Sequence, residues 1–347
     1  MSEPGAAGGP TRVVGVVGCG VTGRVVVQEL ASLAGVRVVV LDPDASAARA
    51  AARSPAVVVD HVDDMLVADV VALCHPEPHH PLAARLVDAG VGVVSLSGLV
   101  DDADELLGMH HRAIAARASL VVGAGMAPGL TGLIARHLGQ QLHVIDELHV
   151  SVHGTGGPEC ARSHHEALGA RALGWHDGRW IERPGGSGRE LCWFPEPIGA
   201  HDCYRAALAD PVLLHRAFPT AERISARISA TRRDRLTARL PMLTPPHSGG
   251  NTGAVRVEVR GALEGGERSS VIAGASGRAE RLAAAVAVAA VELILLGEVP
   301  FGASSPGDEG LASTDLLERA CGHGVALQEF TGVARTPPAA SSAPAVR

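Results

Sequence analysis

Short apolar runs alternate with helix-like stretches through the first 120 residues. Segments 13–17, 36–41, 56–59, 69–74, 91–96 and 120–122 read as buried strands, and 21–34, 44–53, 81–89 and 101–117 read as the helices between them. Strands that are apolar throughout and separated by helices form a parallel sheet covered on both faces. The pattern therefore predicts an α/β fold with a doubly wound, Rossmann-type parallel sheet over residues 12–140.

Beyond residue 139 strict alternation takes over. In LHVIDELHVSVH, Leu142, Val144, Leu148, Val150 and Val152 fall on one side, with His143, Ile145, Glu147, His149, Ser151 and His153 on the other. AVRVEVRG repeats the arrangement, Val255, Val257 and Val259 standing opposite Arg256, Glu258 and Arg260. One apolar and one polar face predict a second α/β domain built on a mostly antiparallel sheet, over residues 141–277. The helix expected at 278–297 returns to cover the first sheet, and 298–334 forms a C-terminal segment. Residues 1–11 and 335–347, rich in Pro, Ala, Gly and Ser, read as disordered ends.

Composition narrows the function. A formal net charge of -7 is not the basic excess of a dedicated nucleic-acid binder. The longest apolar stretch, 282–296, is shorter than the roughly 20 residues of a membrane span and contains Glu292. The opening MSEPGAAGGPTR has no apolar core flanked by basic residues, so no secretory leader is expected. Six cysteines in 347 residues are too sparse for a disulfide framework, which points to a reducing, cytoplasmic setting. All 30 basic residues are arginine, so lysine Schiff-base chemistry, the Walker lysine and a lysine general base are excluded.

Between the first strand and first helix stands GCGVTG. Gly18 permits the tight turn, Gly20 lets backbone approach a pyrophosphate, and Gly23 lets helix and strand pack closely. Val21 and Thr22 lie at the helix start, where free N–H groups favour an anion. Asp42 ends the second strand, 19 residues after Gly23 (42 minus 23), in position to accept hydrogen bonds from a ribose diol and to repel a 2'-phosphate. The turn predicts a dinucleotide site, with NAD favoured over NADP. Arg49 and Arg53 farther along keep NADP open.

Three segments, GCGVTG, LCHPEPHHPLAARLVDAGVGVVSLSG and VVGAGMAPGLTGLIARHLG, occur in the order seen in the saccharopine dehydrogenase-like group of NAD(P)-binding oxidoreductases. The chain resembles that group well over residues 13–138 and more loosely to Gly302. The resemblance implies a Rossmann domain joined to an α/β substrate and dimerisation domain, a homodimer, and chemistry at carbon–nitrogen bonds of small amino-acid-like substrates. Sugar-type oxidoreductases of similar fold carry Glu-Lys-Pro after the fifth strand, whereas this chain has SLSG, residues 95–98, without that lysine.

Candidate residues follow from the expected position beyond the carboxyl ends of the strands. CHPEPHHP brings Cys74 and His75 toward the cofactor, together with Ser97 and Gly125, and offers His75, Glu77, His79 and His80 as acids or bases; in the alternative reading the prolines shape the loop and His80 caps or packs on the next helix. GAGMAPGL places Met126 beside the substrate, or serves only as a hinge between domains. HGTGGPECARSHHEAL offers Gly156 and Gly157 to a substrate carboxylate, His153 as a further substrate contact, and Glu159, His164 and His165 as proton carriers, although Glu159 would oppose an anion there. Tyr204 and Arg205 lie in a segment that can close the cleft, the arginine gripping a carboxylate. Cys160 and His164 share a helical face, but no complete metal-ligand set is evident. Together these residues describe a nicotinamide-dependent oxidoreductase acting on an imine or amine of a carboxylated substrate. A carbonyl or alcohol dehydrogenase and a non-catalytic dinucleotide sensor are the alternatives.

Overall fold

The computed structural model describes residues 11–52, 56–242 and 251–330. The ends expected to be disordered, 1–11 and 335–347, fall outside these apart from Thr11. The first half runs β1 (Arg12–Val17), α1 (Val21–Ala31), β2 (Val36–Leu41), α2 (Ala45–Ala51), β3 (Val57–Val58), β4 (Val70–Leu73), α3 (His80–Asp88), β5 (Gly92–Ser95), α4 (Val100–Gly108), α5 (His110–Ala116), β6 (Ser119–Val122) and α6 (Leu130–Gly139). The strands pair in parallel in the order β3-β2-β1-β4-β5-β6. Val14, Val16, Val38, Val40 and Val94 fill one face, and Val17, Val39, Val71, Leu73 and Val93 the other. Two-sided burial is what removes polar alternation from these strands. The single helix expected over 101–117 is two: after Gly108 the backbone leaves helical geometry at Met109 (φ -79°, ψ 5°) before α5 begins.

The second half contains β7 (Val144–His153), α7 (Pro158–Gly169), β8 (Arg171–His176), β9 (Arg179–Pro184), β10 (Glu190–Phe194), β11 (Gly199–Arg205), α8 (Asp210–Ala217), β12 (Arg223–Ser229), α9 (Arg232–Thr237), β13 (Thr252–Ala262), β14 (Arg268–Arg278), α10 (Ala279–Leu296), β15 (Gly302–Ser304), α11 (Ser313–Gly322) and β16 (Leu327–Glu329). Nine of these strands form a mixed sheet whose main path is β10-β11-β12-β7-β13-β14-β16, with β8 beside β12 and β9 beside β8. Among the described residues of this sheet only β12 and β7 pair in parallel. β15 joins the first sheet beside β6.

Two expectations for the second sheet change. Val144 does not continue the buried row of Leu148, Val150 and Val152; it is 45% exposed. Arg260 pairs with Glu147 but Gly261 pairs with Ile145, so Asp146 is an extra residue, and one extra residue exchanges the faces of Val144 and Ile145 at the start of the strand. Gly261 makes this bulge sterically feasible, because a Cβ there would stand 1.8 Å from the Val144 carbonyl oxygen. The polar face is also less open than alternation suggests. β10 lies back toward β13 and β14, Pro195 packs on Gly274, and Cys192, Phe194, Cys203 and Ala254 form a small separate core. Glu258 is only 7% exposed and is paired with Arg256 at 2.7 Å and Arg260 at 2.6 Å.

Helix α10 joins the two sheets. It packs on α1, β4 and β5 of the first sheet and on β13 and β14 of the second, with α6 and α11 beside it. Alanine and valine at almost every position from Ala284 to Val291 are fully or nearly fully buried, as required of a helix covered on all sides. Among the described residues no helix is long and apolar enough to cross a membrane.

Candidate active site

A cavity of about 1060 Å³ opens at the carboxyl ends of β1, β2, β4, β5 and β6, where the strand order reverses between β1 and β4. Its floor is the glycine turn. Gly18 has φ 94°, and a Cβ there would stand 2.4 Å from the His75 backbone nitrogen. At Gly23 a Cβ would meet the Gly18 carbonyl oxygen at 1.9 Å, so glycine is what lets α1 press against the turn. Gly20 is the opposite case: nothing lies within 4 Å of the position a Cβ would take, and the residue faces the cavity beside Val21 and Thr22. Crowding at the flanking glycines and open space at the middle one make a cradle that fits a pyrophosphate.

At the end of β2, Asp42 accepts from the Cys19 N–H at 2.5 Å through Oδ2 and from the Asp44 N–H at 2.8 Å through Oδ1. The carboxylate is thereby fixed at the rim of the cavity, with Asp44 and Asp60 also in the wall. Arg49, exposed on α2, is not part of that wall.

The loop after β4 forms the next wall through Cys74, His75, Glu77 and His79. His75 Nδ1 contacts the Pro76 carbonyl oxygen at 2.7 Å, which leaves its buried Nε2 without a partner. That orphaned nitrogen in the wall suits a polar group of a bound cofactor. His79 is committed on both sides: Nδ1 to Ser95 Oγ at 2.8 Å, Nε2 to the His75 carbonyl oxygen at 2.8 Å, while its backbone N–H donates to Asp102. Burial, then the neighbouring His75, pushes the His79 pKa down, so this imidazole is a neutral brace for the loop. His80 faces away from the cavity and pairs with Asp102 at 3.1 Å and Glu105 at 2.7 Å. Ser97 is fully buried behind the wall, its N–H donating to Ser95 Oγ at 3.2 Å. Gly125 and Met126 line the cavity where the loop after β6 turns back on itself.

The opposite wall is α7. Cys160, Ser163, His164 and Ala167, at i, i+3, i+4 and i+7, present one helical stripe to the cavity. Burial opposes charge on both Cys160 and His164, but the hydrogen bond and charge between them outweigh it: the thiol is held below its ordinary pKa and the imidazole above. Asp210, the first residue of α8, stands near enough to His164 to stabilise its charged form. The Thr131 hydroxyl donates to Asp210 Oδ1 at 2.6 Å, whereas the buried Oδ2 has no partner. Burial pushes this carboxyl up to about 6, against the Thr131 hydrogen bond and the His164 charge. Glu77 reaches the same region from across the cavity, with Oε1 accepting from the Gly98 N–H at 3.0 Å.

The segments 74–79 and 156–167 thus meet in one cavity. Gly156 and Gly157 are also in its wall, but they rest on the start of α1, a Cβ at either standing 3.0 Å from Thr22 Oγ1 or Val21 Cγ2. Glu159 sits at the rim, exposed and ion-paired with Arg162. Three expected substrate contacts lie elsewhere. His153 is on the far face of the second sheet, bonded to Ser229 Oγ at 2.8 Å and stacked near His201, where burial and that neighbour push its pKa down to about 4. Tyr204 is buried under the Arg235 guanidinium, 4.2 Å from the ring centroid. Arg205 packs against the Ser187–Gly188 turn, and only Ala207 and Leu208 of that segment reach the cavity. Sequence reasoning missed Asp210, since an acid before proline at a helix start ordinarily reads as a cap, and it read Cys160 only as a metal ligand.

No family model matches the sequence, and no curated protein matches it. Solved structures do. Apo saccharopine dehydrogenase (L-Glu forming) from Saccharomyces cerevisiae superposes with a TM-score of 0.69 at 14% identity, covering 92% of this chain and 100% of that one. The DAP dehydrogenase of C. glutamicum in complex with DAP gives 0.52 at 15% identity over 89% and 96% of the two chains. Amine dehydrogenase from Mycobacterium smegmatis gives 0.50 at 13% identity over 89% and 97%. The chain therefore has the fold of the saccharopine dehydrogenase-like NAD(P)-binding oxidoreductases.

Proposed function

We propose that this chain is an NAD(P)-dependent oxidoreductase that transfers hydride at a carbon–nitrogen centre and prefers NAD. The glycine cradle, Asp42 at the β2 terminus and the orphaned His75 Nε2 would hold the dinucleotide, which supplies the hydride acceptor or donor when bound. Asp42, Asp44 and Asp60 in the wall disfavour a 2'-phosphate.

The observation that carries the carbon–nitrogen assignment is the sign of charge around His164. Glu77 faces it across the cavity and Asp210 stands near it, both acids. Amine oxidation develops positive iminium charge, which carboxylates stabilise; carbonyl reduction develops negative charge on oxygen, which they oppose. His164 takes the amine proton in oxidation and returns it in reduction, with Cys160 sharing the proton and Asp210 stabilising the imidazolium. His79 is a positioning residue for the loop that carries Glu77. His80 and Glu159, engaged in ion pairs outside the reacting end, carry no proton in this scheme.

The test is nicotinamide absorbance with panels of amines, amino acids, alcohols and sugars. Amine or amino-acid turnover is expected, and His164→Gln should lower kcat by about 10²- to 10⁴-fold with dinucleotide affinity retained. Turnover of alcohols or sugars alone would defeat the carbon–nitrogen reading, and near-normal kcat in His164→Gln would remove His164 from the chemistry.

A further inference from the structure

Resting on that reading, we infer that the substrate is an amine with an apolar body and no carboxylate, its nitrogen held by Glu77. The resemblance implies a carboxylated substrate, and the sequence offers Arg205, Gly156 and Gly157 to its carboxylate. That arginine is packed against the Gly188 turn, and Arg235 is stacked over Tyr204. Among the described residues no arginine lines the cavity, and the chain has no lysine. A substrate carboxylate would leave water and meet the acids Glu77 and Asp210 with no guanidinium or ammonium to grip it, and the His164 imidazole in the wall is already engaged by Cys160.

The positive evidence is the arrangement of Glu77. The Gly98 N–H fixes Oε1 at 3.0 Å, and among the described residues no hydrogen bond reaches Oε2 although the residue is in the cavity wall. One oxygen is thus held in place and the other is left to accept from an ammonium or iminium N–H, a charge-assisted hydrogen bond. In the wall of the same cavity Leu96, Leu99, Met126 and Leu208 supply an apolar surface suited to an alkyl or aryl group. The remaining anion-friendly feature, the start of α7, does not serve the substrate end: Gly156 and Gly157 face Val21 and Thr22 at the glycine turn, and Glu159 occupies the first helical turn.

Pentylamine and norleucine form a matched pair, the second differing from the first by one carboxylate. Calorimetric titration of each into the NADH-saturated protein should show pentylamine binding at least about tenfold more tightly, a difference of about 1.4 kcal/mol. Glu77→Gln, which keeps an acceptor for the Gly98 N–H, should weaken pentylamine by about tenfold or more and leave NADH affinity within about threefold. Norleucine binding as tight as pentylamine, no amine binding, or indifference of the amine to Glu77→Gln overturns the inference. Amino-acid turnover alongside any of these would leave the carbon–nitrogen reading standing, whereas turnover of alcohols alone removes both.

Discussion

At the scale of single residues, Asp210 shows how the site is held against the interest of the fold. Its carboxyl is buried, accepts one hydrogen bond from Thr131, and leaves Oδ2 unpaired. The folded pKa, pushed up to about 6, lies above the unfolded one, so the native state binds the extra proton between the two values. The contribution of this carboxyl to stability is therefore greatest below the unfolded pKa and is lost as pH rises through about 6. Asp210→Asn keeps an acceptor for Thr131 and removes the ionisation, so it should stabilise the protein near neutral pH by about 2 to 3 kcal/mol and flatten the pH dependence between about pH 4 and 6. Its cost should appear in function, as a fall in the pKa that governs kcat, because His164 loses a neighbouring negative charge. Urea denaturation across that range, paired with a pH–rate profile, checks both; a destabilised variant with an unchanged profile would contradict the assignment.

At the scale of elements, the glycine turn separates folding from binding within six residues. Gly23→Ala would drive a Cβ to 1.9 Å from the Gly18 carbonyl oxygen and should lower stability by about 1–3 kcal/mol. Gly20→Val has open space for its Cβ in the protein itself, so stability should change little while dinucleotide affinity falls by about tenfold or more. Thermal melts and fluorescence titrations with NADH and NADPH measure the pair; the wild type should bind NADH more tightly, and tighter NADPH binding would remove the role given to Asp42. This turn was readable from sequence because its signal is local: spacing, flanking strand and following helix lie within one short segment. The parallel strands were readable for the same reason. The bulge at Asp146 was not, since its only local sign is Asp146 in the apolar row with Ile145 in the polar one, too short a break to fix a register until pairing with Gly261 is known. His153 could have been excluded by its own period, because the alternation that puts Val152 toward the core sends His153 to the far face. Asp210 and His164 belong to different helices, and nothing local in either stretch announces the other.

At the scale of the whole molecule, α10 and β15 tie the two sheets into one body. Residues from both sheets share a single buried cluster with α10 at its centre, so residues 12–140 by themselves lack the helix that covers β4 and β5. The loop before α7 adds a second tie. Gly156 and Gly157 rest on the first residues of α1, and the helix that follows them carries Cys160 and His164. The surface that greets the dinucleotide and the surface that greets the amine are therefore consecutive stretches of one chain, stacked over one opening. In kinetic language this predicts a compulsory order. The dinucleotide enters first and completes the floor on which the amine settles, and it departs last because the imine product stands above it. Oxidised and reduced dinucleotide should inhibit each other competitively, and the amine should show no calorimetric binding until a dinucleotide is present. Random-order inhibition patterns, or amine binding to the dinucleotide-free protein with undiminished affinity, would mean that the two surfaces act independently.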